Sequence, residues 1–187
     1  MNSIAELTDV LAKSRQLEPV IAATGQVIVD CLKGGGKLLS CGNGGSGADA
    51  LHLVEELVGR YSAPRRALPA VCLNADATVL TCIGNDFGFE QIFSRQIVAL
   101  ADPDDVLVVF STSGNSPNVV AAISAAKAAK ARIILLGGKD GGRARGQCDF
   151  ELIVPSVNTA RIQEVHTLIL HSWLDQVDRE FCPPSGQ

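Results

Sequence analysis

The chain has 187 residues, 47% of them hydrophobic, with 20 acidic against 16 basic side chains and a formal charge of −4. That length suits one α/β domain over 1–187, and an acidic balance without a basic stripe speaks against nucleic acid as a partner. No apolar run reaches the length of a membrane span, and the acidic start MNSIAELTDV lacks a signal peptide's pattern, so no membrane partner and a cytoplasmic location are expected.

From Ile4 to about Lys33, the residues Leu7, Val10, Leu11, Leu17, Val20, Ile21, Val27, Ile28 and Cys31 recur at helical spacing. Pro19 divides this run in two, because it removes a backbone donor and crowds the preceding turn. Later segments already supply helices for the sheet, so the stripe of these N-terminal helices (1–34) is expected to pack on another subunit. The α/β core then occupies 35–181.

The stretch KLLSCGNGGSGADALHLVEELVGR, from Lys37 to Arg60, reads as a buried strand (Leu38 to Cys41), a glycine-rich turn (Gly42 to Gly45) and a helix opening near Ser46. Such a turn aims backbone N–H groups and the positive end of the helix dipole at one spot, which suits an anionic or polyhydroxyl ligand. GNGGS lacks the third glycine and the spaced acid of a dinucleotide fingerprint and the Lys of a P-loop, so a nucleotide is not the expected ligand. On the helix, His52 and Glu56 stand four apart and share a face.

Leu68 to Asn74 reads as a second short buried strand, followed by a helical or turn segment from Ala75 to Gly84, then Asn85-Asp86, then a helix from about Phe87 to Leu100. Asp104 to Phe110 is the clearest strand, since continuous β-branched apolar residues mark a strand covered on both faces. It runs into Ser111-Thr112-Ser113-Gly114-Asn115-Ser116-Pro117. Ser116 is placed to cap a helix reaching about Ala131, with Pro117 at its first position. Hydroxyls at Ser111, Thr112, Ser113 and Ser116 then gather at a helix N-terminus, a setting that fits phosphate.

Arg132 to Leu136 is the next strand, GGKDGG a flexible turn, and Phe150 to Val154 the last strand. A helix from Thr159 to Glu180 has Ile162, Val165, Leu168, Ile169, Trp173 and Val177 as its apolar side and carries Gln163, His166 and His171. The tail CPPSGQ, 182–187, needs no order. Six cysteines without a CxxC pair read as buried thiols, and the three histidines all fall on two helices.

Strands alternating with helices predict a five-stranded parallel sheet in a three-layer α/β/α sandwich of flavodoxin-like type. Ligands in such sheets lie beyond the carboxyl ends of the strands, so GNGGS and STSGNS can face one ligand. A phosphate cradle, a loop for hydroxyls and a carboxylate point to a sugar phosphate handled by proton transfer. Aldose–ketose isomerisation needs a base, for which Glu56 is placed, and an acid, for which a histidine is suited.

The segments CGNGGSGADALHLVEELVGRY, GNDFGFEQIFSRQ, STSGNSPNV, GKDGG and RIQEVHTLILH resemble the phosphoheptose (sedoheptulose 7-phosphate) isomerase family of the sugar isomerase (SIS) domain superfamily. The resemblance implies conversion of D-sedoheptulose 7-phosphate to D-glycero-D-manno-heptose 7-phosphate, the entry to nucleotide-activated heptose for bacterial surface polysaccharide such as lipopolysaccharide. It also implies a homotetramer with active sites between subunits. Carried over residue by residue, the catalytic pair falls on Glu56 and His171. Substrate contacts fall on Asn43, Gly44, Gly45, Glu56, Asn85, Asp86, Ser111, Thr112, Ser113, Ser116 and Gln163, and a zinc ion on His52, Glu56, Gln163 and His171. Gln163 and His171 stand about 12 Å apart along a straight helix, so sharing one ion requires their side chains to lean together or the helix to deviate near its start. His166 is read as structural or as a supporting partner, and Ala160 stands where some relatives carry an acid. Two other readings are an isomerase of a different phosphosugar and a non-catalytic protein of the kind that associates with the DnaA initiator. The latter kind lacks the acid and base that Glu56 and His171 would supply.

Overall fold

The computed structural model describes residues 2–182, so all of the tail beyond Cys182 lies outside the described residues. Two helices, α1 (Ser3–Ser14) and α2 (Glu18–Lys33), open the chain, separated by a single 3-10 turn. Pro19 sits in the first turn of α2, where its missing N–H costs nothing, so the break falls just before it. Then follow β1 (Leu38–Gly42), α3 (Gly45–Val58), β2 (Ala70–Cys72), α4 (Ala77–Phe87), α5 (Ser94–Leu100) and β3 (Val106–Ser111). The rest comprises α6 (Pro117–Ala129), β4 (Arg132–Gly138), β5 (Phe150–Val154) and α7 (Thr159–Phe181).

All strand pairs are parallel, in the order β2-β1-β3-β4-β5. The period-2 alternation of strand side chains divides the interior into two layers. Val106, Val108 and Phe110 of β3, with Ile134 and Leu136 of β4, meet α2, α3 and α7 on one face. Leu107, Val109, Ile133 and Leu135 meet α5 and α6 on the other. The expected five-stranded, three-layer sandwich is what forms.

Three expectations change in detail. Much of the N-terminal stripe is covered within the chain, since Val27, Ile28 and Leu32 join the core and the Trp173 indole donates to Ile21 O (3.1 Å) and Thr24 Oγ1 (3.0 Å). The second strand is short and lies at the sheet edge, with Val71 partly exposed, because it has a neighbour on one side alone. The helix expected from Phe87 is broken: α4 runs through Asn85 and Asp86 to Phe87, Gly88 takes φ +90°, and α5 starts anew at Ser94. Among the described residues no helix is long and apolar enough to cross a membrane. All six cysteines are free, with Cys41 and Cys72 buried but Cys82 exposed.

Candidate active site

The strand order reverses between β1 and β3, which opens a crevice at their carboxyl ends. Gly44, at φ +56°, turns the chain from β1 into α3, a conformation that side chains with a Cβ rarely adopt. Asn74 holds the end of β1 from both sides, donating to Gly42 O (2.7 Å) and accepting from Gly42 N (3.2 Å). Asn43 and Asn118 exchange two amide hydrogen bonds, 2.8 and 2.9 Å, and Asn118 is buried in the first turn of α6. The loops after β1 and β3 are therefore tied to each other.

In the second loop Ser111 is buried and its Oγ accepts from Gly114 N (3.1 Å), while Ser113 Oγ accepts from Asn115 N (3.2 Å). Ser116 occupies the N-cap position of α6 but makes no side-chain cap bond, contrary to its expected capping role. Its extended backbone (ψ 125°) serves Pro117. The segment expected as a flexible GGKDGG turn is instead a buttress. β4 continues through Gly138, Ala144 N donates to Gly114 O (2.9 Å) and Arg143 N to Asn115 Oδ1 (3.1 Å).

Farther along α3, on the side that meets α7, three titratable side chains come together. His52 Nε2 lies 3.5 Å from Glu56 Oε1, and the His52 and His171 rings are 5.0 Å apart, edge to face. Glu55 joins them: ligand atoms of His52, Glu55 and Glu56 all lie within 4.8 Å of one another. Gln163, two turns before His171, lies over the glycine turn, since a Cβ on Gly45 would stand 2.5 Å from its Nε2. Thus α7 reaches the turn with one residue and His52 with the other. Asn85 and Asp86 are different: both are exposed in the last turn of α4, Asn85 donating to Asp86 Oδ1 (2.7 Å).

His166 is fully buried, with Nε2 2.9 Å from Gly137 O, and burial pushes its pKa down to about 4. It is a neutral packing group, the structural reading expected of it despite its place three residues after Gln163.

Several contributors carry no sequence signal of their own. Asn118 and Asn74 act through contacts 75 and 32 residues away. Asp49, one turn before His52, is buried and accepts from Thr167 Oγ1 (3.1 Å), with its other oxygen unpartnered; burial raises its pKa. Glu55 is the exception, since its i, i+3 spacing from His52 was visible in the chain.

A family model described as SIS domain matches residues 2–138. The chain is 48% identical over 172 residues to phosphoheptose isomerase 1 of Campylobacter jejuni, covering 92% of each. It is 52% identical over 165 residues to the phosphoheptose isomerase of Citrifermentans bemidjiense, covering 88% of this chain and 86% of the relative. Among solved structures, phosphoheptose isomerase GmhA from Neisseria gonorrhoeae superposes with a TM-score of 0.87 at 40% identity, over 94% and 95% of the two chains. A phosphoheptose isomerase from Francisella tularensis gives 0.84 at 38% identity, over 96% and 100%. With both loops, both helices and nearly the whole length matched, the chain belongs to the phosphoheptose isomerase family of SIS-domain proteins.

Proposed function

We propose that the chain is an aldose–ketose isomerase that converts D-sedoheptulose 7-phosphate to D-glycero-D-manno-heptose 7-phosphate. The observation that carries this is the meeting of Glu56, His52 and His171 between α3 and α7, with Gln163 of α7 over the glycine turn that the Asn43–Asn118 pair ties to α6. In this reading Ser111, Thr112, Ser113 and Ser116 take the phosphate at the opening of α6, while Asn43, Gly44, Gly45 and Gln163 hold the sugar. Glu56 removes a proton from C1 of the open-chain ketose and returns it at C2. His171 gives a proton to the C2 oxygen as the enediol forms and takes the C1 hydroxyl proton back as the aldehyde appears, which restores it for the next turnover.

His52 and Glu56 offer a nitrogen and an oxygen donor of the kind zinc takes, so a zinc ion would rest on them with His171 and Gln163, Glu55 being a further carboxylate within reach. Such an ion would supply Lewis-acid support for the sugar oxygens, and Glu56 and His171 would leave it to exchange protons with the sugar. A homotetramer with sites between subunits is supported by Leu51, Val58 and Leu168, 43 to 50% exposed on the two helices that carry the site. In that assembly the exposed Asn85 and Asp86 are available to a neighbouring copy. The product would feed nucleotide-activated heptose for surface polysaccharide, in the cytoplasm.

The test is incubation with sedoheptulose 7-phosphate, with and without added zinc, and product identification by NMR. Absence of the aldose in both conditions would remove the reading. Parallel reactions with five- and six-carbon ketose phosphates separate this substrate from other phosphosugars. Capture of a replication initiator by an inactive protein would favour the binding-protein reading.

A further inference from the structure

His171 makes no side-chain hydrogen bond among the described residues, although a histidine that handles protons is ordinarily oriented by a partner on one ring nitrogen. Its orientation comes from rings. The Tyr61 ring lies nearly parallel to it, 25° off with centroids 5.6 Å apart, and His52 meets it edge-on. Tyr61 is delivered by the segment that follows α3, and that segment is fastened to the helix bearing His171. Asp178, two turns beyond His171, accepts from Ser62 N (3.0 Å), Ser62 Oγ (3.2 Å), Ala63 N (3.2 Å) and Arg65 Nε (3.0 Å).

The Arg65 side chain is fully buried, and it closes the end of α3 as well, donating to Leu57 O (2.9 Å) and to Glu56 O (2.6 Å). A single guanidinium therefore joins the backbone of Glu56 to a carboxylate on the helix of His171. The phenol of Tyr61 is pushed up by burial and then by the charges of Asp175, Glu56 and Asp178. It is the Tyr61 ring that faces His171.

We propose that Tyr61 is a positioning residue for the His171 imidazole, acting through its aromatic face and held in place by the Arg65–Asp178 fastening. The inference rests on the isomerase reading of His171, and it adds a residue that touches neither proton nor phosphate. Offset stacking of aromatic rings is selective for orientation, and small misplacements of a catalytic group are costly to rate.

Tyr61→Leu and Tyr61→Phe distinguish ring from hydroxyl; Tyr61 is partly buried against the core, and circular dichroism checks that both variants fold. Tyr61→Leu should lower kcat roughly 10-fold with KM changed less than about 2-fold, and Tyr61→Phe should restore kcat to within about 2-fold of the parent. With three histidines in the chain, the His171 ring proton is assignable by NMR through His171→Ala. Its ring-current shift should persist in Tyr61→Phe and fall in Tyr61→Leu to the part that His52 supplies. Unchanged kcat and shift in Tyr61→Leu, or equal loss in Tyr61→Phe, overturns the proposal. If the unmodified protein fails to isomerise the sugar while the NMR pattern holds, the isomerase reading falls and the orientation of His171 by Tyr61 stands.

Discussion

Acid should weaken this fold through one buried imidazole. The carbonyl of Gly137 can only accept, so Nε2 of His166 carries the hydrogen, and Nδ1 is buried with no partner. Protonation would place a charge and a second N–H in an apolar layer beside Phe110, whose ring centroid is 6.1 Å away. Burial accordingly holds the pKa near 4 against an ordinary 6.5, outweighing the hydrogen bond to Gly137, which pulls upward. Between those two values the unfolded chain binds the proton and the folded chain does not, so stability falls as pH falls. Linkage gives a loss of about 2 kcal/mol by pH 5 and about 3 kcal/mol once the pH is below 4. His166→Gln never charges and keeps an amide able to donate to Gly137. Urea unfolding of both proteins at one protein concentration, from pH 7.5 to 4.5, isolates the effect because every other titrating group is shared. The variant should be less stable at pH 7.5 by about 1–3 kcal/mol, with the gap closing by about 2 kcal/mol at pH 5. A gap that stays constant across the range would refute the assignment of a neutral, non-titrating His166.

Glu56→Gln and His171→Ala should each lower kcat by roughly 10²-fold or more while leaving folded protein, measured by steady-state isomerisation. Near-parental turnover in either would remove that residue from proton transfer. Ser113→Ala combined with Ser116→Ala should chiefly raise KM, since phosphate contact is shared by ground and transition states, and kinetics with an unchanged KM would move the phosphate elsewhere. Arg65→Met should destabilise by about 3–5 kcal/mol, read by urea unfolding, because it leaves the Asp178 carboxylate without its buried cation. Titration calorimetry with zinc should show binding that His52→Ala weakens at least ~10-fold and that Glu55→Gln leaves intact if Gln163 rather than Glu55 is the fourth ligand.

The layered sheet was legible because strand periodicity and helix punctuation are local properties. The apolar runs at 106–110 and 150–154 could fit little else, and Pro19 and Pro117 marked two helix starts. What escaped depended on partners distant in sequence. Nothing near Asn118 announces that its amide will meet Asn43, and nothing near Asp178 announces Ser62 and Arg65. Leu168, assigned to the inner side of its helix, is half exposed, because the stripe there drifts past the face that α2 and the sheet cover. Asn85 and Asp86 are expected between two elements, yet the chain stays helical through Phe87. Family resemblance pointed to candidate site residues; it said nothing of the asparagine pair that ties Asn43 to Asn118 or of the arginine that joins Glu56 to Asp178.

The sheet also acts as a partition. Glu56 and His171 ride on helices packed against one face, whereas the helix opened by the serine loop packs against the other. A sugar phosphate bridging them would be gripped at its reacting end and its anionic end by two separately filled interiors. The span between those grips is then set by how thickly each layer is packed behind it. Tolerance for a shorter or longer carbon backbone should accordingly respond to core volume changes in a single layer, with every residue that meets the sugar left as it is.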